Sequence, residues 1–517
     1  MQNNAAVETG RASLGGDDRL RSSWVEQVLR HVHRRRTYFG GMGYWRSGEV
    51  IACLWRAVPI LYMAVAVSLP FSMRLYFSGL DLEVIFPAEP LIGLLALVLG
   101  VLFMAERAWR SLDVSALRDP LVVLVLAWLG VLAASALGSQ FPLVSFKALL
   151  VRSAFVLLFF LFPVLVPTMV RVDRRHMLMA HAMAFVAIIV YSSIRQSDMG
   201  YDRNGSALAP FPFYVDHTSY AAVIVFAMLL IGSEALISTL RNKGPFALDL
   251  VLLFALYAGA FYFAFCRAAW VSLLVVFVLP FIIGLRLRFR SLLVFIAVAC
   301  VPLSIMTMRI MAGDGAVLAD SNATGAGFKE SVLSLTNTHT DTSNRERINR
   351  WKSALRMFRD APMLGHGVGT YQFTFLPYQL KEEMTYISVT GPVDPARVQR
   401  VWSFSDRVFV RRNPQTLYCS GGTAHSEYFL ALSESGLAAG LLFVALALAA
   451  LRNGMRMMNA AADQVQRIRV FAIWSAVCAY FVHAFFNNYL DDPKVAFMFW
   501  TSLGLLVLQH TSETTAS

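Results

Sequence analysis

Ala424-His425-Ser426-Glu427-Tyr428 closes a long polar segment, and soon afterwards the chain has become the apolar run Leu441–Leu451. The polar segment begins near Met311-Ala312-Gly313-Asp314. It contains Ser343-Asn344-Arg345-Glu346-Arg347 and Gly365-His366-Gly367-Val368-Gly369. The sequence before it is as greasy as the sequence after it. Such a segment is one large loop between two membrane helices, and it ends on a histidine.

The rest of the composition agrees. At 517 residues and 57% hydrophobic content the chain is too apolar for a soluble domain. Runs such as Pro90–Met104, Val122–Leu137 and Ala154–Val170 belong to windows of about 17–25 residues, the length that crosses roughly 30 Å of hydrocarbon as a helix. Lipid cannot satisfy backbone polar groups, so these runs must be helical. The five cysteines (Cys53, Cys266, Cys300, Cys419, Cys478) form no metal-binding spacing, and only Cys419 lies well inside the loop, which argues against a loop disulfide. No cleavable signal peptide is visible. The net charge of +12 raises nucleic acid as a partner, but much of it sits in short linkers between helices, where it sets topology instead.

Hydropathy predicts about twelve spans, near 53–72, 90–104, 120–138, 148–170, 178–194, 216–233, 246–265, 268–285, 291–309, 427–451, 470–487 and 495–510. Alternate linkers then carry Arg107/Arg110/Arg118, Arg171/Arg174/Arg175, Arg241/Lys243, Arg286/Arg288/Arg290 and Arg452/Arg456/Arg467/Arg469. All share a side with the N-terminal tail, and the excess of positive charge makes that side cytosolic. The expected division is a basic cytosolic tail (1–50), transmembrane helices (51–309), an outward loop (310–425), three more helices (426–510) and a cytosolic end (511–517). Within the tail, Arg19–Arg36 reads either as a basic amphipathic helix on anionic lipid or as a disordered segment. Within the loop, Arg345–Phe358 places Ile348, Trp351, Leu355 and Phe358 at helical spacing, and Asp360-Ala361-Pro362 ends that helix. Residues 380–423 read as irregular.

Several arginines run against the topological rule. Arg195 and Arg203 fall at the outer end of the fifth span, and Arg267 lies between two outer half-turns. A guanidinium near hydrocarbon is costly, so it either snorkels to headgroups or serves an anion. Several together favour the anion, and the planar fork suits phosphate oxygens. His425 is either a capping residue or a general base. Glu427 suits a helix-start charge, whereas Glu434, two turns further, either pairs with a membrane arginine or orients substrate. The glycines at 365–369 do not follow a strand, so a turn explains them better than a phosphate loop. Asp491-Asp492 invites a metal but has no third ligand at workable spacing.

The stretch from Asn344-Arg345 through Arg350-Trp351, Ala354-Leu355, Asp360-Ala361-Pro362 and Gly365-His366-Gly367-Val368-Gly369, followed by Ala424-His425-Ser426-Glu427 and Glu434-Ser435-Gly436, resembles the signature region of the O-antigen ligase and Wzy-type polymerase family. Arg203-Asn204-Gly205, Asp216-His217-Thr218 and Phe265-Cys266-Arg267-Ala268 are similar to two earlier family segments. Cys266 stands where that family has a small hydroxyl residue, and Ala268 where it has glycine. Ser426 and Ala439 depart from residues common in ligases, which tilts the resemblance towards polymerases.

The resemblance implies an all-α polytopic membrane protein with a GT-C-like arrangement. It implies a glycosyltransferase of the bacterial inner membrane whose donor is a glycan on undecaprenyl diphosphate, with no cofactor or metal. The acceptor would be another glycan or lipid A–core, reached from the periplasm. A flippase and a chain-length regulator are the implied partners, alongside membrane lipids and without nucleic acid. In this reading His425 is the base, and Arg267, with Arg195 or Arg203, holds the diphosphate. Arg345 or Arg347 orients acceptor or phosphate, and Glu434 lies on the substrate side. The alternative from another class is a transporter or flippase. It predicts an inverted repeat and midplane charges.

Overall fold

The computed structural model describes residues 44–77, 82–201, 203–241, 244–284, 342–380, 383, 407–411, 416–420 and 422–508. The predicted span at 291–309, the Arg19–Arg36 segment, the start of the loop, the end at 511–517 and most of 380–423 lie outside them. Two units separate by contacts, Met1–Ala57 and Val58–Ser517, and the second holds everything that follows except the start of the first helix.

The protein is a polytopic helical membrane protein. Its helices are α1 (Tyr44–Ser68), α2 (Ala88–Ala105), α3 (Pro120–Leu137), α4 (Pro142–Leu165), α5 (Arg174–Asp198), the short α6 (Arg203–Leu208), α7 (His217–Leu240), α8 (Gly244–Phe263), α9 (Arg267–Gly284), the loop helix α10 (Thr342–Asp360), α11 (Glu427–Ala460), α12 (Gln464–Phe486) and α13 (Pro493–Leu505). Two antiparallel hairpins join them: β1 (Met73–Phe77) pairs with β2 (Leu82–Phe86), Leu75 opposite Val84, and β3 (Arg407–Arg411) pairs with β4 (Thr416–Ser420). Eight described helices are long and apolar enough to cross a membrane.

Helix starts follow from capping chemistry. Asp119, Asp173, Asp216, Ser426, Asp463 and Asp492 each accept a backbone N–H in the first turn of α3, α5, α7, α11, α12 and α13. The centre of the bundle is read from burial. About three quarters of α7 and α12 is covered by protein (78% and 72%), against 33% of α2, which is left to lipid.

Contacts between distant chain segments sort the helix ends into two sets. At one end Arg175 and Arg469 both reach Glu234, Arg174 donates to the Gly504 carbonyl, and Asn453 donates to Asp119 at 2.9 Å. At the other, buried Lys494 donates to the Ser72 and Phe213 carbonyls, Gln196 to Phe263, and Arg347 to Phe486. The linkers with Arg118, Arg171–Arg175 and Arg467–Arg469 belong to the first set and α10 to the second, in agreement with the alternation expected from hydropathy.

Several helix ends differ from expectation, and two elements bear on the site. Helix α4 starts at Pro142, six residues before the predicted span, because Lys147 interrupts the apolar run there; Arg152 lies within the span. Arg152 is in fact neutralised inside the protein by Asp491 (2.6 and 2.8 Å) and Glu434 (3.2 Å). Helix α13 has 13 residues, about 20 Å, which is short of a full crossing. It is enclosed by protein along its length and so does not need one.

Candidate active site

His425 sits one residue before the cap of α11 in a left-handed conformation (φ 49°) that a residue with a Cβ rarely adopts. Two bonds hold it there. Its N–H donates to Thr423 Oγ1 at 3.3 Å, and its carbonyl accepts from Trp351 Nε1 at 3.3 Å. Its neighbour Ala424 is buried with Ala354, Met357, Tyr371, Phe375 and Leu430, so the loop helix α10 and the start of α11 share one apolar core. Trp351 stacks on Phe429 at 5.4 Å and meets Phe485 edge-on. Strain of this kind persists only where its surroundings over-determine it.

The buried face of α10 is not the predicted stripe. Trp351 is buried, but Ile348, Leu355 and Phe358 are half-buried, whereas Glu346, Asn349, Arg350, Ala354 and Met357 are enclosed. Arg350 pairs with Glu346 one turn back at 2.7 Å and lies over the Phe375 ring at 4.2 Å. A self-neutralised pair of this kind can be buried where a lone charge cannot. Gly422 is required beside it, because a Cβ there would stand 2.6 Å from the guanidinium.

Arg347, one turn before Arg350, turns a different way. Its guanidinium donates to Ser343 Oγ at 2.9 Å and to the Phe486 carbonyl at 3.3 Å, both neutral acceptors. Burial, and after it the Arg267 guanidinium, push Arg347 below the usual arginine range. Arg267 is itself buried and opens α9, directly after Phe265 in a left-handed conformation (φ 46°) and Cys266. Burial pushes the Cys266 thiol up to about 12, which leaves it protonated. Two like charges thus act on each other, and Arg267 opens a helix whose N-terminal dipole adds a third positive element. The same region acts on His425: burial first, then Arg347 and Arg350, push its imidazole down to about 4, against the opposing pull of Glu346 and Asp216. His425 is neutral at physiological pH.

The turn between α12 and α13 completes the surroundings. A single oxygen of Glu427, Oε1, accepts from the backbone N–H groups of Tyr489 and Leu490 at 2.8 Å each, and from the Tyr480 hydroxyl at 3.3 Å. The Tyr489 hydroxyl donates to Asp216 Oδ2 at 2.8 Å. Asp491 and Glu434 converge on Arg152, and Asp492 caps α13. The metal reading of Asp491-Asp492 thus gives way to an ion pair and a cap.

The glycine loop is structural. Helix α11 is broken at Gly436 (φ 77°, ψ −172°), and the freed backbone groups are met by the loop: His366 and Gly367 donate to the Ser433 and Glu434 carbonyls, and Leu437 donates to Pro362. A Cβ on Gly365 would lie 2.2 Å from the Glu434 backbone, and one on Gly436 would lie 2.2 Å from the Met363 carbonyl oxygen. The turn reading of 365–369 holds, with close approach as the reason for glycine.

The remaining candidates are placed as follows. Arg195 donates to the carbonyls of Leu208, Ala209 and Phe211, and so ties down the 208–211 turn. Arg203 starts α6. Arg345 is half-buried on α10, two residues before Arg347. Glu434 is buried in the Arg152 pair and accepts from the Tyr371 N–H at 3.1 Å; of its two readings, the structure shows the pairing. His425, Arg267 and Arg347 come together. Sequence reasoning gave no role to Arg152, a charge in an apolar run, to Tyr489, in an outer turn, or to Asp216, which it met only within a segment similar to the family.

Fold and site together describe a multi-pass membrane protein with an arginine-rich, histidine-bearing centre at the end where α10 packs. Residues 252–393 match the family model described as O-antigen ligase, a stretch that carries Arg267, Arg345 and Arg347 and ends before His425. Over that stretch the chain is similar to the O-antigen ligase family, in line with the resemblance of its motifs. No curated protein matches the chain closely enough to count as a relative.

Proposed function

We propose that the protein transfers a glycan from undecaprenyl diphosphate to an acceptor hydroxyl on the periplasmic side of the bacterial inner membrane. The observation that carries this reading is the pair of like-charged guanidinium groups that act on each other, buried Arg267 and half-buried Arg347, beside a neutral histidine. Two like charges out of water are unfavourable until an anion comes between them, and a diphosphate supplies that anion. The basic linkers at the opposite end set the orientation, with that end in the cytosol.

In the reaction, neutral His425 takes the proton from the acceptor hydroxyl as its oxygen attacks the anomeric carbon. The bond from that carbon to the diphosphate oxygen breaks, and its electron pair leaves with the diphosphate. Attack opposite the leaving group inverts the anomeric centre. Arg267 and Arg347 stabilise the charge that develops on the leaving oxygen. Arg347, which acts on Arg267, joins Arg195 and Arg203 as a candidate for the second phosphate group. Arg345 lies on the same helix and faces acceptor or phosphate. The energy is stored in the lipid diphosphate, so the reaction needs no nucleotide sugar, and the arginines supply the positive charge at the leaving group.

Ser426 and Ala439 favour a polymerase, which joins lipid-linked repeats. The description of the matching family model favours the second reading, a ligase acting on lipid A–core. Transfer assays in reconstituted vesicles, with lipid-linked glycan as donor and each acceptor in turn, separate the two. Uptake of glycan without any covalent product would overturn both and return the protein to the transporters.

A further inference from the structure

We infer that Glu427 is a positioning residue, whose carboxylate fixes where His425 stands relative to Arg347. This rests on the proposed roles of those two residues as base and phosphate-holding group. The geometry is a closed ring of hydrogen bonds and short lengths of chain. Arg347 Nε donates at 3.3 Å to the carbonyl of Phe486, the last residue of α12. One turn further along α10, Trp351 Nε1 donates to the His425 carbonyl at 3.3 Å. Two residues on from His425, Glu427 Oε1 accepts the backbone N–H groups of Tyr489 and Leu490 at 2.8 Å each. Tyr489 follows Phe486 by three residues, which brings the ring back to Arg347.

A charge at a helix start ordinarily serves its own first turn. The three donors to Glu427 Oε1 instead belong to α12 and the turn after it: Tyr489, Leu490 and the Tyr480 hydroxyl at 3.3 Å. That turn is anchored on its own account. Asp491 is bound by Arg152 at 2.6 and 2.8 Å, and the Tyr489 hydroxyl donates to Asp216 at 2.8 Å. Elsewhere the ring is stiffened by packing, with Trp351 stacked on Phe429 and edge-on to Phe485. The Glu427 link joins a helix start to the irregular turn 487–492, and the length of one buried side chain sets its spacing. A base displaced by about an ångström loses its attack geometry, while the groups that hold the diphosphate stay in place.

The experiment compares two conservative variants of the full-length protein in nanodiscs, with transfer from undecaprenyl-diphosphate-linked glycan as the readout. Glu427→Gln keeps the reach and an acceptor oxygen but not the charge. Glu427→Asp keeps the charge but is shorter by one methylene, about 1.5 Å. Glu427→Gln retains most of kcat, whereas Glu427→Asp lowers it about tenfold to a hundredfold. The donor KM is unchanged in both, which also shows that both are folded. Equal kcat in the two variants, or a better Glu427→Asp, overturns the inference, because charge and not position would then be what Glu427 supplies. A loss carried by the donor KM overturns it too. Glu427→Asp is then repeated on His425→Ala, against the residual transfer of that variant. There it costs nothing further, since the base it misplaces is gone; the same fold loss in both backgrounds overturns the inference. Normal transfer by His425→Ala alone is a separate failure, because it removes the base role on which the inference rests.

Discussion

Arg152 and Arg347 are both arginines in an apolar setting at the same end of the bundle, and the protein treats them in opposite ways. Arg152 is held by two carboxylates, one from the broken helix α11 and one from the turn before α13. Arg347 is held by a hydroxyl and a carbonyl, with another guanidinium for a neighbour. The first region is compensated and fixes geometry; the second brings like charges together, and in the proposed function an anion joins them there. A buried charge is therefore no sign of function by itself. What separates scaffold from site is whether the charge has been paid for within the chain.

The largest effect belongs to the group that the positive region surrounds. His425→Ala lowers glycan transfer by at least about a hundredfold while circular dichroism and membrane insertion stay unchanged. Normal product from that variant would remove the base from the account. Arg267→Ala and Arg347→Ala each cost about a hundredfold in transfer. Arg267→Lys recovers only part, since a point charge replaces a fork. Equal recovery by lysine would mean that charge alone is used.

The contrast between the two regions is tested next by stability rather than turnover. Arg152→Met leaves Glu434 and Asp491 without their cation and destabilises the protein by about 3–5 kcal/mol, read from thermal unfolding in detergent. Arg347→Met removes a repulsion, so its midpoint stays or rises. A fall as large as that of Arg152→Met would place Arg347 in the scaffold. The smallest effect is in pH. With His425 pushed down to about 4, the active free base is lost only as the pH falls through that region. The acid limb of kcat/KM for the donor thus lies near 4 instead of about 6.5. Arg347→Gln removes a cation and moves that limb towards neutral, and an unmoved limb would uncouple the two residues.

How much of this was legible in the sequence follows the same division. Membrane-spanning helices depend on local hydropathy, and those among the described residues were readable. The start of α4 was not, because Lys147 interrupts the apolar run there; nor were the partners of Arg152, which come from residues 434 and 491. Glu434 was readable only as a choice between pairing and substrate, and Arg152 settles it. Arg195 was placed at the correct end, but its acceptors are carbonyls that no side-chain pattern announces. His425 and Arg267 stood out because they break local expectation. Asp216 and Tyr489 did not, since a cap and a turn residue look alike whether or not they meet.

The central claim is that Arg267 and Arg347 together take a diphosphate. The most direct measurement is the affinity of purified protein for undecaprenyl diphosphate, compared among wild type, Arg347→Ala and Arg267→Ala in nanodiscs of one lipid composition. The account predicts at least about tenfold weaker binding in each variant, the loss of one charge-assisted contact, with folding intact. Unchanged affinity in both would contradict it.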